Sequence, residues 1–283
     1  MPVRPSPHGK TLICSLTTNG QWLMANTLAH ITPIRGVNDE GKGKKHALHL
    51  LIHAAESDVV WLHDDDIIRP AATDAEALTA LGDADLLILP LKMVGSPLPP
   101  SSSHPLIQRL QVIEYAALQQ LTIRMAQRGT PILCSGANLI VRRDVWLQAE
   151  PHLHPEIPSG DDMFLLEYCK RMHKKIAVSE AENMTAVVTA QPTLRALLRQ
   201  RMRWAGKAPQ YTDPDIRRFG ALVTILLVLQ LLCPLCVLLW LPWACSLIRG
   251  RGFAALDVLL LALVYPYYAL IALIGGLLNP QRW

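Results

Sequence analysis

Three short stretches of this chain carry side chains able to do chemistry. Asp64-Asp65-Asp66 follows the apolar run Val59-Val60-Trp61-Leu62. Carboxylates one residue apart can share a divalent cation and present it to a diphosphate, and hard oxygen ligands suit Mg2+ or Mn2+. Asp64 and Asp66 form the candidate pair, Asp65 offers an alternative register, and an acidic solvated turn is the plain alternative. Ser159-Gly160-Asp161-Asp162 precedes another apolar stretch, where two carboxylates would at least cap a helix and complement its dipole. Gln200-Arg201-Met202-Arg203-Trp204 joins guanidinium groups, which can pair with a diphosphate, to an indole, which offers a flat surface to a sugar ring. Leu194, Leu197, Leu198 and Met202 make one apolar face there, so the stretch also reads as a basic amphipathic helix on a membrane surface.

These residues need elements to hold them. Thr11–Leu16, Asp58–His63, Asp85–Leu91 and Lys175–Val178 read as short buried strands. A short helix around Gln21–Ala29 and helices over His46–Glu56, Thr73–Leu81, Leu106–Arg128, Arg142–Glu150, the segment from Asp162 to about Met172, and Thr193–Trp204 alternate with them. Ser96–Pro105 is too rich in proline to be helix or central strand. Strands alternating with helices predict an α/β fold with a mostly parallel sheet and helices on both faces. Ligands of such sheets sit at the carboxyl ends of strands, where the Asp triplet lies.

Hydrophobic residues make up 51% of the chain and charged residues 18%, below the roughly 25% of soluble domains. The apolar excess begins at Phe219. The expected division is a globular domain over residues 1–215 and a membrane region over 216–283, with spans at about 219–243 and 253–278 forming a two-helix hairpin, a re-entrant or interfacial arrangement being the alternative. A net charge of +4 is too mild to argue for nucleic acid. Arg199, Arg201, Arg203, Lys207, Arg217 and Arg218 crowd before the apolar segment and favour a cytoplasmic face. Cys233 and Cys236 form a C-x-x-C inside apolar sequence and are expected to be buried small hydrophobes. Gly41-Lys42-Gly43-Lys44-Lys45 lacks the spacing of a phosphate-binding P-loop.

Taken in order, Asp-x-Asp after a buried strand, Ser135-Gly136-Ala137-Asn138 followed by Arg142-Arg143, an acidic pair before a helix, and Q-x-x-R-W before apolar helices resemble a family 2 glycosyltransferase. The resemblance is to the membrane-bound, cellulose- and hyaluronan-synthase-like type. It covers about Thr11 to Trp204, and Asn38–Leu48 is similar to the family's segment upstream of its Asp-x-Asp. It implies a GT-A-like (Rossmann-like) fold and a nucleotide-diphosphate sugar donor, usually a UDP-sugar. By that resemblance Asp64 and Asp66 hold the metal and diphosphate, and Asp162 is the general base. Gln200 and Arg203 bind the diphosphate, and Trp204, Gly136, Asn138 and Asp161 lie on the acceptor side. The reaction implied is inverting transfer to a lipid-linked or growing glycan at the inner face of a bacterial membrane, with a homo-oligomer or partner subunit to complete any channel.

The chain departs from the family pattern at its start, which matches that pattern's second strand. Thr17-Thr18-Asn19-Gly20 stands where the family has an Asp-rich turn for the nucleoside. That departure keeps a second reading open, a degenerate, non-catalytic subunit or scaffold of a glycan-assembly complex. A metal-dependent phosphohydrolase built on the Asp triplet has only His63 nearby as a further ligand, and a structural histidine is expected there.

Overall fold

The computed structural model describes residues 13–16, 44–64, 66–96, 104–157 and 159–278. Thr17-Thr18-Asn19-Gly20, the helix expected around Gln21–Ala29, residues 38–43, Asp65 and most of Ser96–Pro105 lie outside those residues. By compactness the chain forms two units, Met1–Leu91 with Leu133–Val187, and Lys92–Ile132 with Val188–Trp283. This division cuts across the expected one at residue 215.

The first unit is built on a five-stranded sheet in the order β1-β2-β5-β3-β6. Strand β1 (Ile13–Leu16) runs parallel to β2 (Val59–His63). Strand β5 (Asn138–Arg142) is antiparallel to β2 and to β3 (Leu86–Ile88), and β6 (Ile176–Val178) is parallel to β3. The sheet is therefore mixed, a correction to the mostly parallel expectation. β2 and β3 are buried along their whole length and β5 along most of it. Doubly covered strands read as unbroken apolar runs whichever way they point. The strand expected over Asp85–Leu91 is also split. Pro90 has no N–H for a ladder, so β3 stops at Ile88. The chain then forms β4 (Leu91–Val94), which pairs with β7 (Ala186–Thr189) in a separate ribbon.

Helix α1 spans Lys44–Ala54 and α2 spans Asp74–Leu81. A capping box starts α2: the Thr73 hydroxyl accepts from Glu76 N–H, and the Glu76 carboxylate accepts from Thr73 N–H at 2.7 Å. Its Ala77 and Leu81 pack on Val59, Trp61, Leu87 and Ile140, one face of the sheet. The alternating set Val60, Leu62, Leu86, Leu139 and Val141 is at most 4% exposed, so the opposite face is covered as well. Helix α4 (Arg143–Ala149) contacts β5, and both α1 and α5 (Asp161–Arg171) contact α4.

The second unit is helical, with α3 (Pro105–Gln127), α6 (Leu194–Ala205), α7 (Pro214–Leu232), α8 (Leu241–Ile248) and α9 (Ala255–Leu278). Among the described residues α9 alone, at 24 residues, is long and apolar enough to cross a bilayer, with an 18-residue stretch of mean hydropathy 2.2. The span expected over 219–243 is not one helix. Helix α7 ends at Leu232, Cys233 takes an extended backbone, and Pro234 opens a short 3-10 turn before α8. One full-length helix and a broken run thus replace the expected pair of spans. Cys233 is exposed and Cys236 half-buried, a correction to the expectation that both are buried.

Helices α6 and α9 approach backbone to backbone. A Cβ built on Gly276 would stand 2.5 Å from the Met202 carbonyl oxygen and 2.7 Å from Gly206 N, whereas the nearest atoms to one on Gly275 belong to the Met202 side chain. Gly276→Ala is therefore expected to cost about 1–3 kcal/mol, the usual range for overpacking. Gly275→Ala should cost less, because a methionine chain can swing aside. Thermal unfolding of both variants checks this, and equal midpoints would contradict the close approach at Gly276.

Candidate active site

Three of the sequence-distant stretches meet at one end of the sheet in the first unit. In the β2–β5 register His63 pairs with Asn138. Asp64 therefore leaves β2 beside the Ser135-Gly136-Ala137 entry to β5, because antiparallel neighbours place the end of one strand at the start of the other. The Gly136 N–H donates to Asp162 Oδ2 at 3.0 Å, and the Met163 N–H donates to Asp162 Oδ1 at 2.8 Å. The Asp162 carbonyl accepts from the Cys134 thiol at 3.0 Å. Burial pushes that thiol well above its ordinary range, with the Asp162 charge adding to the effect, so it stays a protonated donor. Asp162 sits in the first turn of α5, after Gly160 at φ +104°, a left-handed conformation that favours glycine. It is half-buried, fixed at both oxygens and at its carbonyl.

Asp64 is half-buried and Asp66 is exposed, and both take part in polar interactions. As a donor set, two carboxylates one residue apart at a strand end fit a hard divalent cation. Arg69 was not singled out from the sequence. Its Nη2 is buried with no hydrogen-bond partner among the described residues, and its charge acts on His63. An arginine three residues past an acidic motif is the signal that could have found it.

Two expected acceptor-side residues have other employment. Asn138 is 1% exposed. Its amide donates to the Pro90 and Met184 carbonyls at 2.9 Å each, and its oxygen accepts from Trp61 Nε1 at 2.9 Å. It stitches β2, the Pro90 break and the Met184 turn together. Asp161 is buried and pairs with Lys45 Nζ at 3.0 Å. That ammonium also donates to the Leu153 and His154 carbonyls at 2.6 and 2.7 Å, so Asp161 fastens the turn before α5 onto α1.

His63 is 3% exposed, with its ring 5.0 Å from the Trp61 ring and Nδ1 without a partner among the described residues. Burial, and secondarily the Arg69 charge, push its pKa down to about 3. The unfolded chain takes up this proton near pH 6.5, the folded chain only near 3. Stability is full above the unfolded value and is lost as pH falls below it, by about 2 kcal/mol at pH 5. Unfolding followed from pH 7 to 5 in EDTA should show that loss, and His63→Phe should flatten it. An unchanged slope in the variant would remove His63 as its source.

The Q-x-x-R-W stretch lies on α6 in the second unit. Thr193 caps the helix, its hydroxyl accepting from Ala196 N–H at 3.2 Å. Arg203 and Trp204 are exposed and Gln200 is half-buried. Arg201 is 7% exposed. Its Nη2 donates to Glu114 Oε2 on α3 at 2.9 Å, its Nη1 donates to Gln200 Oε1 at 2.9 Å, and its guanidinium lies 4.2 Å from the Trp204 ring centroid. The signal was present in the sequence: Arg201 follows Leu197 by four residues and so falls on the apolar face, where a charge needs a buried partner. Helix α3 also holds the entry to α6. Gln111 Nε2 donates to the Gln191 carbonyl and its Oε1 accepts from Gln191 N–H, each at 2.9 Å.

A family model described as "Glycosyltransferase like family 2" matches residues 22–207, well over half of the chain. Among solved structures, the crystal structure of S. aureus TarS is 15% identical with a TM-score of 0.35, over 82% of this chain and 41% of that one. The structure of S. aureus TarS 1-349 in complex with UDP is 13% identical with a TM-score of 0.32, over 82% of this chain and 68% of that one. This chain thus spans 41% of the length of the first. TM-scores this low carry no argument about the present site. No curated protein matches the chain.

Proposed function

Because this chain belongs to the glycosyltransferase-like family 2, we propose that it is a membrane-anchored inverting glycosyltransferase of the cellulose- and hyaluronan-synthase-like type. It moves a sugar from a nucleotide-diphosphate sugar, a UDP-sugar by preference, to a lipid-linked or growing glycan at the cytoplasmic face of a bacterial inner membrane. The observation that carries the reading is the Gly136 N–H to Asp162 Oδ2 hydrogen bond. It joins the Ser-Gly-Ala-Asn segment to the acidic pair at the sheet end where Asp64 leaves β2.

Asp162 is the base. With each oxygen already accepting one backbone N–H, its orientation is set before an acceptor arrives, and a remaining lone pair can take the proton of an attacking hydroxyl. A single displacement at the sugar carbon follows, with inversion. Asp64 and Asp66 would hold Mg2+ or Mn2+. Such an ion, when bound, neutralises charge that grows on the leaving diphosphate. Arg203 and Gln200 serve the diphosphate, and Trp204, with Arg201 over its ring, presents its indole to the acceptor sugar.

Lipid contact is supported by α9 and by the apolar side chains it and α7 leave exposed, among them Leu222, Ile225, Leu263, Ile271 and Ile274. Helix α9 crosses the bilayer and the broken α7–α8 run lies in or re-enters its interface. The exposed arginines of α6 keep the catalytic side cytoplasmic.

The test is UDP release from a panel of UDP-sugars by membranes containing the chain. Release with one donor, dependent on Mn2+ or Mg2+, is expected. A chain that binds UDP but turns over no donor would instead be the non-catalytic subunit.

A further inference from the structure

Helix α1 carries His46, His49 and His53. His49 and His53 are four residues apart, so their side chains share one face of the helix. Their ring centroids are 4.3 Å apart. Glu150, just past the end of α4, stands opposite both. Its Oε1 contacts His49 Nδ1, and its Oε2 lies 2.8 Å from His53 Nε2. The three ligand atoms lie within 4.8 Å of one another. The side chains are 46%, 48% and 26% exposed, so an ion can enter from water.

We propose that His49, His53 and Glu150 form a second metal site, for a borderline transition ion with Zn2+ as the best fit, separate from the hard-cation pair at Asp64 and Asp66. Tetrahedral Zn2+ with bonds of about 2.0–2.2 Å sets its ligand atoms roughly 3.4 Å apart. The ligand atoms now lie within 4.8 Å of one another, so binding requires the three side chains to rotate to that spacing. Two imidazoles and one carboxylate suit Zn2+ over Mg2+ or Mn2+. Three protein ligands leave a fourth position for water.

The site has a structural consequence. Lys45, near the start of α1, already binds the Leu153 and His154 carbonyls and Asp161. An ion on His49, His53 and Glu150 ties the same segment, residues 150–161, to α1 a second time. That segment leads directly into Asp162. Metal at this site stiffens the support of the proposed base without touching substrate.

The test uses the full chain in detergent, with any affinity tag removed and metal stripped. Zn2+ is titrated by calorimetry in excess Mg2+, beside His49→Gln and His53→Gln. Glutamine keeps a donor for Glu150, and both positions are on the surface, so the variants should fold. Far-UV circular dichroism and a cooperative thermal transition in each variant confirm that they do. The expected result is one Zn2+ per chain, undisturbed by Mg2+, with a thermal midpoint that rises on binding. Each variant should bind at least about tenfold more weakly, since loss even of an outer partner costs roughly 10–100-fold. It should also lose the midpoint shift. Zn2+ binding of equal strength in wild type and both variants, or no stoichiometric binding in wild type, overturns the proposal. Because Zn2+ is read without donor or acceptor, a failure of glycosyl transfer would leave this result standing, and the reverse.

Discussion

Asp162→Asn is expected to cut glycosyl transfer by about 10²–10⁴-fold, the usual contribution of a positioned general base. The loss should fall on kcat, with UDP affinity unchanged. The amide has the shape of the carboxylate and can still accept the Gly136 N–H. It cannot accept a second N–H through its nitrogen, so the bond from Met163 is lost at a cost of about 1 kcal/mol. Folding should survive that. The contrast between intact binding and absent turnover separates a lost base from a damaged site. Full activity in Asp162→Asn would remove Asp162 from the chemistry.

The second large effect is expected at Glu114. This carboxylate and Arg201 are 6% and 7% exposed and bonded at 2.9 Å. Glu114→Leu leaves a buried guanidinium without its counter-charge, which costs about 3–5 kcal/mol. Arg201 sits in the middle of α6, between Gln200 and Arg203, and its guanidinium covers the Trp204 ring. Loss of its anchor should therefore also displace the diphosphate and acceptor contacts proposed for α6. Replacing both partners, Glu114→Leu with Arg201→Met, removes the uncompensated charge. That double variant should recover most of the stability while transfer stays low, since Arg201 no longer orients Gln200 and Trp204. Denaturant unfolding of the two single variants and the double one gives the coupling directly. Additive losses would mean that the pair does not act as a pair.

The outline of the sheet end was readable because β2 is an unbroken apolar run that stops at acids, and because Gly160-Asp161-Asp162 has the form of a helix start. Strand direction was not readable. β5 is as apolar as its neighbours, and its antiparallel course depends on the path of the chain between strands. Pro90 and Pro234 each lay inside a stretch whose hydrophobicity argued for one continuous element. Local backbone chemistry won in both cases, splitting the Asp85–Leu91 strand and the 219–243 helix. The roles of Asn138 and Asp161 were hidden for another reason. An amide or carboxylate at a motif position looks the same whether it faces a ligand or the core, and only the partners at Trp61, Pro90, Met184 and Lys45 decide it. The meeting of His53 with Glu150, 97 residues away in sequence, leaves no local pattern at all.

Nucleotide-sugar binding at the Asp64–Asp66 end of the sheet is tested most directly by calorimetric titration of UDP into the purified full chain, with and without Mn2+, beside Asp66→Asn. Mn2+-dependent binding that Asp66→Asn weakens sharply is expected. No binding under either condition, or binding indifferent to Mn2+ and to the substitution, would contradict it.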